Sequence, residues 1–194
     1  LIIKSNYLHI LQNAVFQCLN IGFILLLTST VTVKELGIYG VAKSLFALLE
    51  YSHLGSRFGL DLVLSGRNKS HINYYTRLTA SISFWVSLVF LILVTLYYQN
   101  TLIFLFLLGS VFYNQFNIYR LSNRARGNTP LFVKQSILIN YIPVLFQISG
   151  LLMYGFEGLF WAVLFSGFFL YFTKKGDILK FLSINIKIKD FLYL

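Results

Sequence analysis

Charge is what this sequence has least of. Only 11% of its 194 residues are charged, six acids against 16 bases, where a soluble domain carries about 25%. So few charges cannot keep 57% hydrophobic residues in water, and the mean hydropathy of +0.73 makes a bilayer the expected solvent. Cysteine is nearly missing as well: Cys18 stands alone, which excludes an intramolecular disulfide and a multi-cysteine metal site. No glycine-rich phosphate loop ending in Lys and Ser/Thr is present, and His9, His53 and His71 are scattered rather than paired at zinc spacing. Neither a metal nor a cofactor is therefore expected. No repeat, low-complexity tract or soluble linker divides the chain. The net charge of +10 is spread between apolar blocks instead of covering one soluble face, so nucleic acid is not the expected partner.

What is present is a series of long apolar runs. They cover 9–33, 38–64, 78–98, 101–121 and 131–154, with a sixth ending near Thr173. Each is close to the roughly 20 residues that a membrane-spanning helix needs. The first run is too long for a cleaved signal peptide, has no small-residue cleavage site and is followed by further spans. The expected fold is all-α: a polytopic membrane protein with a six-helix transmembrane bundle over 1–173. A basic, amphipathic cytoplasmic linker is expected over 174–194. No room is left for a soluble catalytic domain, and an enzyme is not expected. The chain starts at Leu1 and stops at Leu194 as another apolar run begins, so it reads as part of a longer protein.

The connections are short. Gln99-Asn100 is a tight turn, Ser122 to Pro130 is a basic connection, Pro143 is an expected kink, and Glu157-Gly158 marks the turn before the sixth span. Basic residues alternate with the turns. Lys4, then Arg67, Lys69 and Arg77, then Arg120, Arg124, Arg126 and Lys134, then Lys174 and the bases after it all fall on one side. The other side has Lys34, Glu35 and Glu157. The positive-inside rule then puts both chain ends in the cytoplasm, as an even number of spans requires. Tyr74, Tyr75, Tyr97, Tyr98, Tyr154 and Tyr171 lie near span ends and suit an interfacial belt.

One span carries charge. Lys43, Glu50 and Arg57 recur every seven residues, which at about 100° per residue keeps them on one helix face. Asp61 falls beside Lys43 in angle and His53 flanks the row. Each charge at the bilayer centre costs about 2.5–3.5 kcal/mol, so the row faces either a wet cavity or charged partners on other helices. A substrate or ion pathway and a set of ion pairs that lock helices together both fit, while snorkelling accounts for Lys43 and Asp61 better than for Glu50 and His53. Polar rows recur elsewhere: Asn13, Gln17 and Asn20; Ser110, Asn114 and Asn117; Asn140 and Gln147. Such rows serve helix–helix hydrogen bonding or ligand lining. Gly55 and Gly59 have close-packing spacing.

Several short motifs carry a family resemblance. They are Leu36-Gly37-Ile38-Tyr39-Gly40, Leu49 to Gly55 with its terminal Leu-Gly pair, Arg124-Ala125-Arg126-Gly127-Asn128, Gly155-Phe156-Glu157-Gly158, and the tail from Phe181 to Leu194. With them the chain resembles the N-terminal half of a Wzx-type polysaccharide (O-antigen) flippase, in the multidrug/oligosaccharidyl-lipid/polysaccharide exporter superfamily. The resemblance implies one half of a 12–14-helix, two-bundle transporter in the bacterial inner membrane. Such proteins move undecaprenyl-diphosphate-linked oligosaccharide across that membrane by alternating access. Its partners would be the lipid-linked oligosaccharide, membrane lipids and other polysaccharide-assembly proteins. The resemblance places Lys43 and Arg57 on diphosphate or sugar, with Asn13, Gln17, Asn140 and Gln147 as further cavity residues. Glu50, His53 and Asp61 then couple ions or support the bases. Rival readings are another transporter of the superfamily, a membrane-embedded glycosyltransferase or polymerase, and a structural subunit. A cation antiporter needs acids more than bases, and a glycosyltransferase needs larger outer loops.

Overall fold

The computed structural model describes residues 2–53 and 69–173, with side chains over 12–53 and 72–173. The elements are α1 (Ile2–Thr30), α2 (Val33–Leu49), a 3-10 turn (Glu50–His53), α3 (Lys69–Tyr98), α4 (Thr101–Ala125) and α5 (Thr129–Phe172). Four of these helices are long and apolar enough to cross a membrane: α1 over Gln12–Thr30, α3 over Ile72–Tyr98, and all of α4 and α5. No strand occurs among the described residues. The chain is thus all-helical and of membrane-embedded character.

The helix ends have local chemical causes. Thr32 caps α2 in a reciprocal capping box with Glu35, which satisfies donors that a helix start leaves without partners. Gln99 turns with φ 47°, and the Asn100 side chain accepts from the backbone N–H groups of Leu102 and Ile103 to start α4. Gly127, at φ 71°, ends α4: its N–H donates to Arg124 O and that of Asn128 to Asn123 O, both at 2.9 Å. This is the Schellman pattern. Asn128 then caps α5, with Pro130 in its first turn.

The 44-residue α5 is two helices in sequence. Gly155 alone departs from helical dihedrals, at φ 65° and ψ −150°, a region that essentially only glycine occupies. The rings of Phe146 and Phe169 are 6.1 Å apart, although 23 residues along a straight helix would separate them by about 35 Å. The chain therefore reverses at Gly155 into two packed arms, 129–154 and 156–172. Gly150 and Gly158 face each other across the bend, each with the other's carbonyl where a Cβ would sit. The reversal falls two residues before the expected Glu157-Gly158 turn, and Pro143 keeps helical dihedrals inside the first arm.

Ring contacts set the helix directions. Tyr39 and Phe46 of α2 meet Phe106 and Tyr113 of α4 in turn, and Phe106 and Phe112 of α4 meet Phe160 and Phe168 of the second arm in turn. These three helices therefore run the same way. Tyr141 of the first arm meets Phe16 of α1, and the first arm meets α4 at the latter's C-terminal end, where Arg120 donates to Ser136. One core joins them through Phe23, Tyr39, Leu49, Phe106, Val144 and Phe160. On α3, Trp85, Val89, Ile92 and Leu96 stay exposed, a surface suited to lipid.

Candidate functional site

Between α1, α2, α4 and both arms of α5 lies a cavity of about 360 Å³. Its wall is mixed. Phe16, Phe23, Phe46 and Phe106 contribute rings, Asn20, Asn140 and Gln147 contribute amides, and Ser110, Ser166 and Tyr113 contribute hydroxyls. Lys43 is the one charged residue lining it among the described residues. A cavity of this volume with a few polar groups on an aromatic wall has the make-up of a small-molecule site.

Local structure explains how each group arrives there. Lys43 lies four residues after Tyr39 on α2, so both share a face, and its Nζ sits 5.5 Å from the Tyr39 ring centroid. The Tyr39 hydroxyl donates to Gln147 Oε1 at 3.2 Å in a buried setting. Phe23, Phe106 and Phe160 surround the Tyr39 ring edge-on at 5.9–6.4 Å. Gly109 lets α4 approach the second arm so closely that its absent Cβ would lie 2.6 Å from Val163 O. Pro143 has no N–H, so the Ile139 carbonyl loses its helical donor, and both residues border the cavity.

The expected charged row is divided by the fold. α2 ends at Leu49 and continues as a 3-10 turn, which advances about 120° per residue and shifts the angular count beyond this point. Lys43 faces the cavity. Glu50 and His53 instead border a separate recess with Ser83, Asn114 and Asn117, one with no room for a water molecule. There Asn114 donates to Leu49 O at 3.1 Å, and the Ser52 and Ser83 hydroxyls are 2.8 Å apart. The row Ser110, Asn114 and Asn117 is therefore the α4 face turned toward α2, lining first the cavity and then the recess. Arg57, Asp61, the Gly55/Gly59 pair, the expected continuation of this span to residue 64 and the tail 174–194 lie outside the described residues.

Of the expected cavity residues, Lys43, Asn140 and Gln147 come together. Asn13 and Gln17 are exposed and are not among the lining residues, whereas their row-mate Asn20 is. Tyr39 and Ser166 were not singled out from sequence as site residues. The spacing of Tyr39 from Lys43 was the available signal for the first, and Ser166 had none in an otherwise apolar run. Among the described residues, no group of three or more His, Cys, Asp or Glu is placed to hold a metal ion. Comparison with family models, curated proteins and solved structures finds no match to the chain.

Proposed function

We propose that this chain is the N-terminal lobe of a flippase that moves a lipid-linked, diphosphate-bearing oligosaccharide across a bacterial inner membrane by alternating access. The observation that carries the reading is Lys43, the one cation among the described residues in a cavity lined by rings, aliphatic side chains, amides and hydroxyls. A cation at membrane depth costs about 2.5–3.5 kcal/mol, while a ring face such as that of Tyr39 returns about 0.5–2 kcal/mol. The shortfall favours a site that is wet or filled by an anion. Aromatic faces and amides suit the saccharide attached to such an anion.

In this reading the two arms of α5 cross the membrane separately, as do α1, α2 with the segment following it, α3 and α4. Six spans result, with both ends of the chain cytoplasmic. At about 1.5 Å per residue, the arms 129–154 and 156–172 reach about 39 and 26 Å, near the roughly 30 Å of a hydrocarbon core. The pairs Tyr74–Tyr75 and Tyr97–Tyr98 at the two ends of α3 fit the two interfaces. In the same reading Glu50 and His53, in the neighbouring recess, couple ions or support charge, while Arg57 and Asp61 lie outside the described residues.

The test is genetic. Deleting the gene in its own host should abolish the surface polysaccharide and leave lipid-linked saccharide on the cytoplasmic leaflet. The wild-type gene should restore it, and Lys43→Gln at equal membrane level should not. Unchanged surface polysaccharide in the deletion strain refutes the reading.

A further inference from the structure

The corner between α4 and the first arm of α5 gathers cations. Arg120 and Arg124 lie in the last turns of α4, Arg126 caps it, and Lys134 follows in the first turns of the arm. No Asp or Glu occurs between Asp61 and Glu157, so α3, α4 and this arm supply no counter-charge of their own. Arg120 and Arg124, one turn apart, repel each other. The dipole of α4 favours a base in its last turn, and the positive-inside rule asks only for charge on the right side. Neither requires the guanidiniums to be held in place.

Here they are held. Arg120 donates from Nε and Nη2 to Asn117 Oδ1 at 3.2 and 2.8 Å, and from Nη1 to Ser136 at 3.1 Å, so it joins the two helices. The guanidiniums of Arg120 and Arg124 stand 5.3 and 5.8 Å from the centroid of one ring, that of Phe132. Arg126 stands 5.8 Å from the Tyr119 ring. At the same corner the buried Asn123 and Gln135 share a hydrogen bond of 2.9 Å, and the turn at Gly127 is closed by two more. A guanidinium stacked on a ring uses its flat face for the contact. Its N–H groups lie along the edge, in the fork that matches a phosphate. Arg124 is exposed, and Arg126 and Phe132 are half-buried, so this arrangement stands at the surface.

Its depth names the partner. At about 1.5 Å per residue, Arg120 lies about 30 Å along α4 from the Asn100 cap, which matches the thickness of a hydrocarbon core. With the Asn100 turn at one interface, the corner reaches the headgroups of the other. Tyr75 of α3 and Ala125 of α4 pack on one small cluster at this end, which brings the Tyr74–Tyr75 pair to the same level. We propose that the α4–α5 corner is a binding site for the phosphate headgroup of an anionic phospholipid, gripped by Arg124 and Arg126 and positioned by Arg120 and Phe132. The site is separate from the cavity, and it needs only that the helices sit in a bilayer, whatever the cavity carries.

The experiment uses the full chain in detergent micelles, with bound lipid counted by native mass spectrometry. The probes are dioleoylphosphatidylglycerol and, as the neutral reference, dioleoylphosphatidylcholine. The anionic lipid should bind the wild-type chain more tightly. Arg124→Gln should lower its affinity about ten-fold, the worth of a charge-assisted hydrogen bond, and leave the neutral lipid unchanged. Arg124→Lys keeps the charge but loses the fork and should also bind the anionic lipid more weakly. Phe132→Leu keeps every charge and should cost about two- to five-fold by releasing both guanidiniums. Lys34→Gln removes the same charge at the start of α2, the opposite end of the bundle, and should change nothing. Wild-type affinity in Arg124→Lys, or equal losses in Lys34→Gln and Arg124→Gln, would mean diffuse attraction and overturn the site. Arg124 is exposed, so its variants carry the test even where Phe132→Leu does not fold. Equal binding of the two lipids by the wild-type chain overturns the proposal as well, as does displacement of the anionic lipid by an equal concentration of inorganic phosphate.

Discussion

Gly109 offers a sharp test of how closely these helices pack. A methyl group there would lie 2.6 Å from Val163 O, 2.7 Å from Leu164 Cα and 2.8 Å from Leu164 N. All three atoms are backbone, so no side-chain rotation relieves the contact. Carbon needs about 3.5–4.0 Å from other carbon atoms for favourable contact, so α4 and the second arm of α5 must separate by up to about 1 Å. Overpacking of this kind costs about 1–3 kcal/mol. Gly22, Gly37 and Gly40 serve as controls, because nothing lies within 4 Å of a Cβ at any of them. Alanine there gains up to about 1 kcal/mol from helix propensity. Alanine at Gly109, inside α4, gains the same propensity, so Gly109→Ala should fall about 1–3 kcal/mol below Gly40→Ala in reversible unfolding from mixed micelles, followed by the fluorescence of Trp85 and Trp161. Gly109 also lines the cavity, so under the proposed function the same variant should weaken phosphate binding. A Gly109→Ala protein as stable as Gly40→Ala would refute the close packing of α4 on the second arm.

Gly155→Ala should destabilise for a different reason: nothing lies within 4 Å of its Cβ, but alanine strains at φ 65° and ψ −150°, at a cost of about 1–3 kcal/mol. The same unfolding assay checks it, and proteolysis between the arms should accelerate. The Glu35 carboxylate accepts from the backbone N–H and the hydroxyl of Thr32, both at 2.8 Å. These bonds, the backbone one first, hold its pKa below the usual carboxylate value. A depressed folded pKa means that this cap stabilises fully above the unfolded value of about 4.3 and fades as pH falls through the lower folded value. The stability difference between wild type and Glu35→Ala should stay constant from about pH 7 to 5 and shrink below about 4, as read from denaturation midpoints across pH.

Periodicity and hydropathy were sufficient for the helical character and for four helices long and apolar enough to cross a membrane among the described residues, because a long apolar run without charge has no other low-energy form in a bilayer. The Gln99-Asn100 turn and the Arg126-Gly127-Asn128 connection were equally legible, since their residues carry their own capping chemistry. The turn before the last helix was less so. Gly155 and Gly158 both occur in a Gly-Phe-Glu-Gly string, and only packing assigns the reversal to the first and the close contact with Gly150 to the second. The site shows the same division. The sequence by itself determined which faces of α2 and α4 are polar, because residues three, four or seven apart share a face in any helix. It placed Lys43 and Glu50 on one row, but it carried no information on where α2 stops being α-helical or which helices close around each end of the row. Tertiary structure decided that Lys43 opens onto a cavity while Glu50 and His53 meet a recess too narrow for water. It also decided that Gln147 accepts a hydrogen bond from Tyr39, 108 residues away. A contact of that span depends on how whole helices pack, and no local pattern encodes it.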